Sequence, residues 1–345
     1  MKKKLFALLL AGAMALSLAA CGGNGGSQEE TDATPSAEEQ QGIQTPTPTG
    51  DETYVVGICQ LAPHPALDAA TQGFIDALEQ ALPGQVDFRN QNAANDSGTC
   101  ATIVNGFVSE GVDLIMANAT PALQAAAAAT AEIPILGTSI TEYGVALGIE
   151  DFNGIVGTNV SGTSDLAPLD QQAAMLQEWF PDAQNVGLVY CSAEPNSKYQ
   201  VDTVQGYLEE MGYVCAQYPF SDTNDMASVV QNAVDNNDVL YVPTDNTLAD
   251  NTGVIHNICT PAGIPVIAGE EGICAGCGVA TLSISYYDIG TTTGQMAAQI
   301  LKGEANISGM PIEYAPNFVK MYNPSICGEL GLTPLDGYDA IGGAE

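Results

Sequence analysis

Positive charge is what this chain has least of. Only seven of its 345 residues are Lys or Arg, against 41 Asp or Glu, for a formal net charge of -34. Three of the seven are Lys2, Lys3 and Lys4, so from residue 21 onward the basic side chains are Arg89, Lys198, Lys302 and Lys320. Such a surface repels phosphate backbones and anionic headgroups, which excludes nucleic acid as a partner. Histidine is nearly as scarce, with His64 and His256 alone. The chain also lacks a Gly-x-Ser-x-Gly elbow, a P-loop, a Gly-x-Gly-x-x-Gly fingerprint and a two-histidine metal pattern. Neither an enzyme nor a cofactor is expected from these absences. A repressor is excluded too, because no basic DNA-reading helix opens the chain.

A long apolar run is missing as well. Leu5 to Leu18 is apolar but too short for a membrane span, and it follows the three lysines, the pattern of an export signal over residues 1–20. Leu18-Ala19-Ala20-Cys21 matches the bacterial lipobox, so Cys21 is expected to carry a lipid and become the mature N-terminus. Residues 21–52 are rich in Gly, Ser, Thr, Pro, Glu and Gln and read as an acidic tether with too little apolar surface to fold. The expected location is extracytoplasmic, lipid-anchored to the cell membrane. Eight further cysteines remain, at 59, 100, 191, 215, 259, 274, 277 and 327. Export permits disulfides among them. Cys274-x-x-Cys277 lacks the second ligand pair that zinc needs and the strand-to-helix context of a redox motif.

What the chain has in abundance is alternation. Val112 to Thr130 shows its unit. Leu114, Ile115 and Met116 form a strand apolar on both faces, Asn118-Ala119-Thr120 makes a polar turn, and Pro121 opens an alanine-rich helix with Thr120 as N-cap. A strand that ends in a helix start presents N–H groups at the sheet's carboxyl edge, where open α/β sheets bind ligands and anions are favoured. Strands are predicted again at Tyr54 to Gln60, Val86 to Phe88, Ile133 to Leu136, Asn185 to Cys191, Tyr213 to Pro219, Val239 to Val242 and Pro265 to Ala268, with another around Ala280 to Tyr286. Helices lie between them, so the sheets are parallel with right-handed crossovers. The expected fold is α/β, two Rossmann-like lobes over residues 53–162 plus about 284–315 and 163–283 plus about 316–345. Chain crossings near Gly162, Ser283 and Pro311 would form a hinge, with an interlobe ligand cleft.

Several segments together carry a resemblance. They are His64-Pro65-Ala66-Leu67-Asp68, Ala119-Thr120-Pro121-Ala122, Pro195-Asn196-Ser197, Tyr241 to Asn246, Gly269-Glu270 and Tyr286-Tyr287. With the lipobox, they make the chain resemble a substrate-binding lipoprotein of an ABC importer with the type I periplasmic-binding fold. More narrowly it is similar to the subfamily that binds tryptophan and related aromatic amino acids. The resemblance implies a small-molecule ligand, most naturally an amino acid, and ABC permease and ATPase subunits as partners, with the membrane reached through the lipid anchor. The chain departs from the family pattern at Asn118 and in the cysteine-rich Gly272 to Gly278 segment. Competing functions are the binding of a nucleoside or small sugar, and a sensor lipoprotein serving a membrane receptor.

Residue chemistry at the strand ends supplies the candidate site. With basic side chains so scarce, an amino acid's carboxylate must be held by N–H groups and hydroxyls. Ala119, Thr120, Ser139 and Thr141 stand where those are needed, with Asn118 and Thr138 beside them. Gln60 and His64 flank the loop after the first strand. The ammonium requires a carboxylate that is desolvated on closure, and Asp245 is the first choice with Glu270 second. Asp245 is equally placed to cap the helix beginning near Thr247. Asn196, Ser197 and Asn246 start helices at the same edge.

Overall fold

A computed structural model describes residues 53–315 and 317–342; the lipobox with Cys21 and the tether lie outside the described residues. The first stretch alternates as the sequence predicts. It runs β1 (Tyr54–Gln60), α1 (Pro65–Ala81), β2 (Val86–Asn92), α2 (Ser97–Glu110), β3 (Leu114–Asn118), α3 (Thr120–Ala129) and β4 (Ile135–Ile140). A short α4 (Tyr143–Leu147) and β5 (Val160–Ser164) follow. The second stretch comprises α5 (Leu169–Trp179), β6 (Asn185–Cys191), α6 (Pro195–Glu210), β7 (Val214–Phe220), α7 (Thr223–Asn236) and β8 (Val239–Val242). It continues through α8 (Asn246–Ala249), α9 (Thr252–Ala262), β9 (Val266–Ala268), α10 (Glu271–Cys277) and β10 (Ala280–Ser283). Then α11 (Tyr286–Leu301) and β11 (Glu313–Tyr314) rejoin the first lobe, while β12 (Val319–Tyr322), α12 (Pro324–Leu330) and β13 (Asp339–Ala340) complete the second.

The first sheet has the order β11-β5-β4-β3-β1-β2 and is parallel throughout. The second has the order β13-β12-β10-β9-β8-β6-β7, parallel except where β12 runs against β10. In both, the winding reverses beside the first strand of the lobe, at β1/β3 and at β6/β8. Ligands bind at the carboxyl ends of the strands at such a reversal. Apolar side chains cover both faces of each sheet. Phe74 and Leu78 of α1 are fully buried in the layer shared with α11, and each contributes about 1.5–3 kcal/mol.

Two local features differ from the sequence-based expectation. Val160–Ser164 is not merely a crossing but a strand, β5, fully buried at every position. Its Gly162 is required, because a Cβ there would lie 2.0 Å from the Gly137 carbonyl oxygen of β4. The chain therefore leaves the first lobe at Asp165. The N-cap of α3 is Ala119, not Thr120, and no side chain caps this end. Ala119 sits at φ 87°, ψ 156°, a conformation costly for any residue with a Cβ. Pro121 follows at the second helical position, which tolerates its missing N–H.

Candidate functional site

Strand register sets the first wall. Gln60 pairs with Asn118, and Asn118 with Thr138, across the carboxyl ends of β1, β3 and β4. These side chains are consumed inside the lobe. Gln60 donates to the Ala62 carbonyl and to Asp68, both at 2.7 Å, and accepts from Thr71 at 2.6 Å. It thereby braces the loop that carries His64. Asn118 donates to the Leu67 carbonyl at 2.8 Å and to Thr71 at 2.9 Å, leaving its Oδ1 without a partner. The Thr138 hydroxyl meets Thr163 at 3.1 Å, and Thr163 meets Thr293 of α11 at 2.8 Å, so Thr138 faces α11. The Ala119 N–H is occupied by the Thr138 carbonyl at 3.0 Å, contrary to the expectation that it faces the cleft. Thr120 is buried in the first turn of α3.

The second wall is built from helix caps. Asp245 accepts from the Leu248 N–H at 2.8 Å and, through its other oxygen, from the Cys191 N–H at 2.7 Å. Burial and then the neighbouring Glu194 charge push its carboxyl up to about 8. Glu270 accepts from the Gly272 N–H at 2.6 Å and from the Ile273 N–H, and burial pushes it up to about 7. Glu194 takes the N–H groups of Asn246 and Thr247 at 3.0 and 2.8 Å, with the Asn246 amide and the Thr247 hydroxyl. Ser197 is fully buried beside Asp245. Every one of these acids has backbone donors to hold, as an N-cap requires.

Between the walls lies a cavity of about 10 Å³, room for roughly one water. His64, Ser139, Thr141, Asn196, Asp245, Asn246 and Glu270 line it, whereas Gln60, Asn118, Ala119, Thr120, Thr138 and Ser197 do not. Two further lining residues, Asp165 and Tyr286, come from the chain crossings and were not among the residues singled out from sequence. Tyr286 donates to Asp165 Oδ2 at 3.0 Å, while Asp165 Oδ1 has no partner. Burial pushes the Asp165 carboxyl up to about 6, against hydrogen bonds from Tyr286 and Thr141. A signal for it exists in the sequence, since Asp165 is the sole charge between Asp151 and Asp170.

Three more buried atoms on this cavity lack partners: His64 Nε2, Ser139 Oγ and Asn196 Oδ1. Asn196 is oriented by its amide nitrogen, which donates to Glu194 and to the Thr244 carbonyl. Ser139 holds a left-handed φ of 55°. Burial lowers the His64 imidazole, opposed by Asn246 and by the charges of Asp68, Asp250 and Glu194. Buried polar groups are otherwise almost always paired, so four orphans on one cavity make it the candidate site for a polar ligand. A wider groove of about 640 Å³ opens beyond Glu270 and Tyr286, with Ala66, Ala69, Ile284 and Met321 on its walls. It gathers none of the orphaned atoms.

The ABC transporter substrate binding protein family matches residues 55–337. A tyrosine-binding protein of Clostridioides difficile (strain R20291) is 34% identical over 321 residues, 90% of this chain and 87% of its own. Among solved structures, an ABC domain in complex with L-Trp from Streptococcus pneumoniae superposes with a TM-score of 0.79 at 29% identity, covering 84% of this chain and 99% of that one. The ligand-free, open structure of a substrate-binding protein with adhesive properties from Clostridium difficile is 37% identical over the same shares, yet its TM-score is 0.65. The two lobes thus form the type I periplasmic-binding fold, and the chain belongs to the ABC transporter substrate-binding proteins, extracytoplasmic carriers that hold a small ligand without transforming it.

Proposed function

We propose that the interlobe cleft binds a free amino acid with an aromatic side chain. The observation that carries this is the chemistry of the four orphaned atoms. Asp165 Oδ1 and Asn196 Oδ1 are acceptors, and an ammonium supplies three N–H donors. Ser139 Oγ is a hydroxyl donor, and His64 Nε2 is a donor in one neutral tautomer; a carboxylate needs both. The set is the complement of a zwitterion. The ammonium role passes from Asp245, whose oxygens both serve backbone donors, to Asp165. The tyrosine-binding relative and the L-Trp-bound one support an aromatic side chain.

A cavity that admits one water is far smaller than any amino acid, so the lobes must stand further apart around a bound ligand than they do here. Sequence and superposition rank the two solved relatives in opposite orders, the open ligand-free one being closer in sequence and further in shape. That supports a closed arrangement here and a hinge at the crossings. We propose further that Cys21 carries the lipid anchor and that the protein delivers its ligand to an ABC importer. Titration calorimetry with tyrosine, tryptophan, phenylalanine, a nucleoside and a small sugar tests the ligand class. Heat with the aromatic amino acids alone is expected, and binding of the sugar or nucleoside in their place overturns the reading. Cys21→Ser should release the protein from the membrane fraction; retention after a salt wash would locate the anchor elsewhere.

A further inference from the structure

Among the described residues, the first lobe contains two cysteines, Cys59 in β1 and Cys100 in the first turn of α2; the other six belong to the second lobe. Both are fully buried in one core cluster, together with Phe107. The packing of α2 on β1 fixes how they face. A Cβ at Gly57 would lie 2.6 Å from the Phe107 ring, so Phe107 is seated directly on Gly57. Residues two apart share a strand face, and residues seven apart share a helix face. Moving from Gly57 to Cys59, and two turns back from Phe107 to Cys100, brings the two thiols opposite each other. Their ionisation agrees with that contact. Hydrogen bonding with Cys100 is the largest cause raising the Cys59 thiol, ahead of burial, and the same contact lowers Cys100.

We propose that Cys59 and Cys100 close an intrachain disulfide that ties the cleft end of β1 to the start of α2. Two S–H bonds break and one S–S bond forms. The two electrons and two protons pass to a disulfide-bearing oxidant, whose own bond becomes two thiols. An extracytoplasmic location supplies that kind of oxidant and preserves the product. Both thiols are fully buried in the folded lobe, so exchange takes place during folding, before α2 docks. The segment this bond secures is already laced together. Ala93 N–H donates to the Gln60 carbonyl and Asn95 N–H to the Leu61 carbonyl, both at 2.8 Å. Cys59 adjoins Gln60, which braces the loop carrying His64.

The test refolds the reduced full-length protein in mixed reduced and oxidised glutathione, alkylates it in denaturant and maps the peptides by mass spectrometry. A linked peptide pair carrying Cys59 and Cys100 is expected, with a thermal midpoint that reductant lowers by on the order of 5–10 °C, as closure of a loop of about 40 residues implies. Cys59→Ala and Cys100→Ala should each remove that sensitivity to reductant. Alkylation of both cysteines in the refolded wild-type protein, or their linkage to cysteines of the second lobe, overturns the proposal without reference to any variant.

Discussion

The two walls of the cleft use similar residue types in opposite ways. On the second lobe, Glu194, Asp245 and Glu270 spend their oxygens on the N-termini of helices that begin there. On the first lobe and its crossings, His64, Ser139 and Asp165 each present a buried polar atom with no partner, and from the second lobe only Asn196, a neutral amide, joins them on this cavity. A buried group that is satisfied holds the wall in shape, whereas one left unsatisfied costs stability until something binds it. On the proposed reading, the second wall's acids are scaffold and the orphaned atoms meet the ligand, although the two sets look alike in the sequence.

The largest expected effect is on the unsatisfied side. Asp165→Asn keeps the size and the Tyr286 contact but removes the charge proposed to meet the ammonium. Affinity for the amino acid should fall by roughly 30-fold or more, on the order of 2–5 kcal/mol, because the ligand's charge is left buried and unpaired. The ligand-free protein should be no less stable. Calorimetry beside a thermal melt checks both, and unchanged affinity would return the ammonium role to the second wall.

On the satisfied side the effects reverse. Asp245→Ala removes the cap of α8 and strands the Cys191 N–H in the interior. Unfolding free energy should drop by about 2–4 kcal/mol from the cap and the unpaired donor together. Denaturant melts measure it. If stability holds while binding collapses, Asp245 is a ligand group, and the division between the walls is wrong.

Proton linkage offers a third and smaller contrast. Burial raises the Asp165 carboxyl from 3.8 to about 6. The folded state therefore holds its proton more tightly than the unfolded chain, so this group's contribution to stability is present below about pH 4 and is lost as pH rises through 6. An ammonium selects the ionised form and displaces that proton. Affinity should be about tenfold weaker at pH 5 than at pH 7 or above, and Asp165→Asn should flatten the dependence. A flat profile in the wild type would mean that Asp165 is already ionised in the empty cleft.

How far these walls were legible in the sequence follows from the same physics. Strands such as Leu114–Asn118, buried at every position, and helices bounded by caps such as Asp96, which accepts from the Thr99 N–H at 2.6 Å, announce themselves through local pattern. Hence the two lobes and their strand ends could be read directly. Ser139, Asn196 and His64 are legible because they follow strand ends. Asp165 is not legible in this way, because β5 is short and rich in Ser, Thr and Gly, so its end reads as a crossing rather than a sheet edge. Thr138 and Gln60 share that edge position, but which face of a sheet edge a side chain takes depends on α11 and α1, which pack from distant parts of the chain. Nor does sequence reveal whether an acid at a helix start has an oxygen to spare.

The smallest effect concerns Ala119, where the first wall departs from good local chemistry. Its φ of 87° and ψ of 156° lie in a region that glycine alone occupies without strain. Its N–H is bound to the Thr138 carbonyl, and its carbonyl accepts the Leu123 N–H at 3.1 Å, so the surroundings hold it there. Strain of this kind costs on the order of 1–3 kcal/mol. Ala119→Gly relieves it but loses a buried methyl and adds freedom to the unfolded chain, each worth somewhat under 1 kcal/mol. The balance lies between a loss of under about 1 kcal/mol and a gain of about 1 kcal/mol, so the midpoint should shift by no more than roughly 2–4 °C in a protein of this size. Affinity should stay within about twofold, since the Ala119 N–H does not face the cavity. A loss of affinity with the fold intact would mean that the strained turn itself positions the ligand, and the first wall would then recognise through its backbone as well as through Ser139 and Asp165.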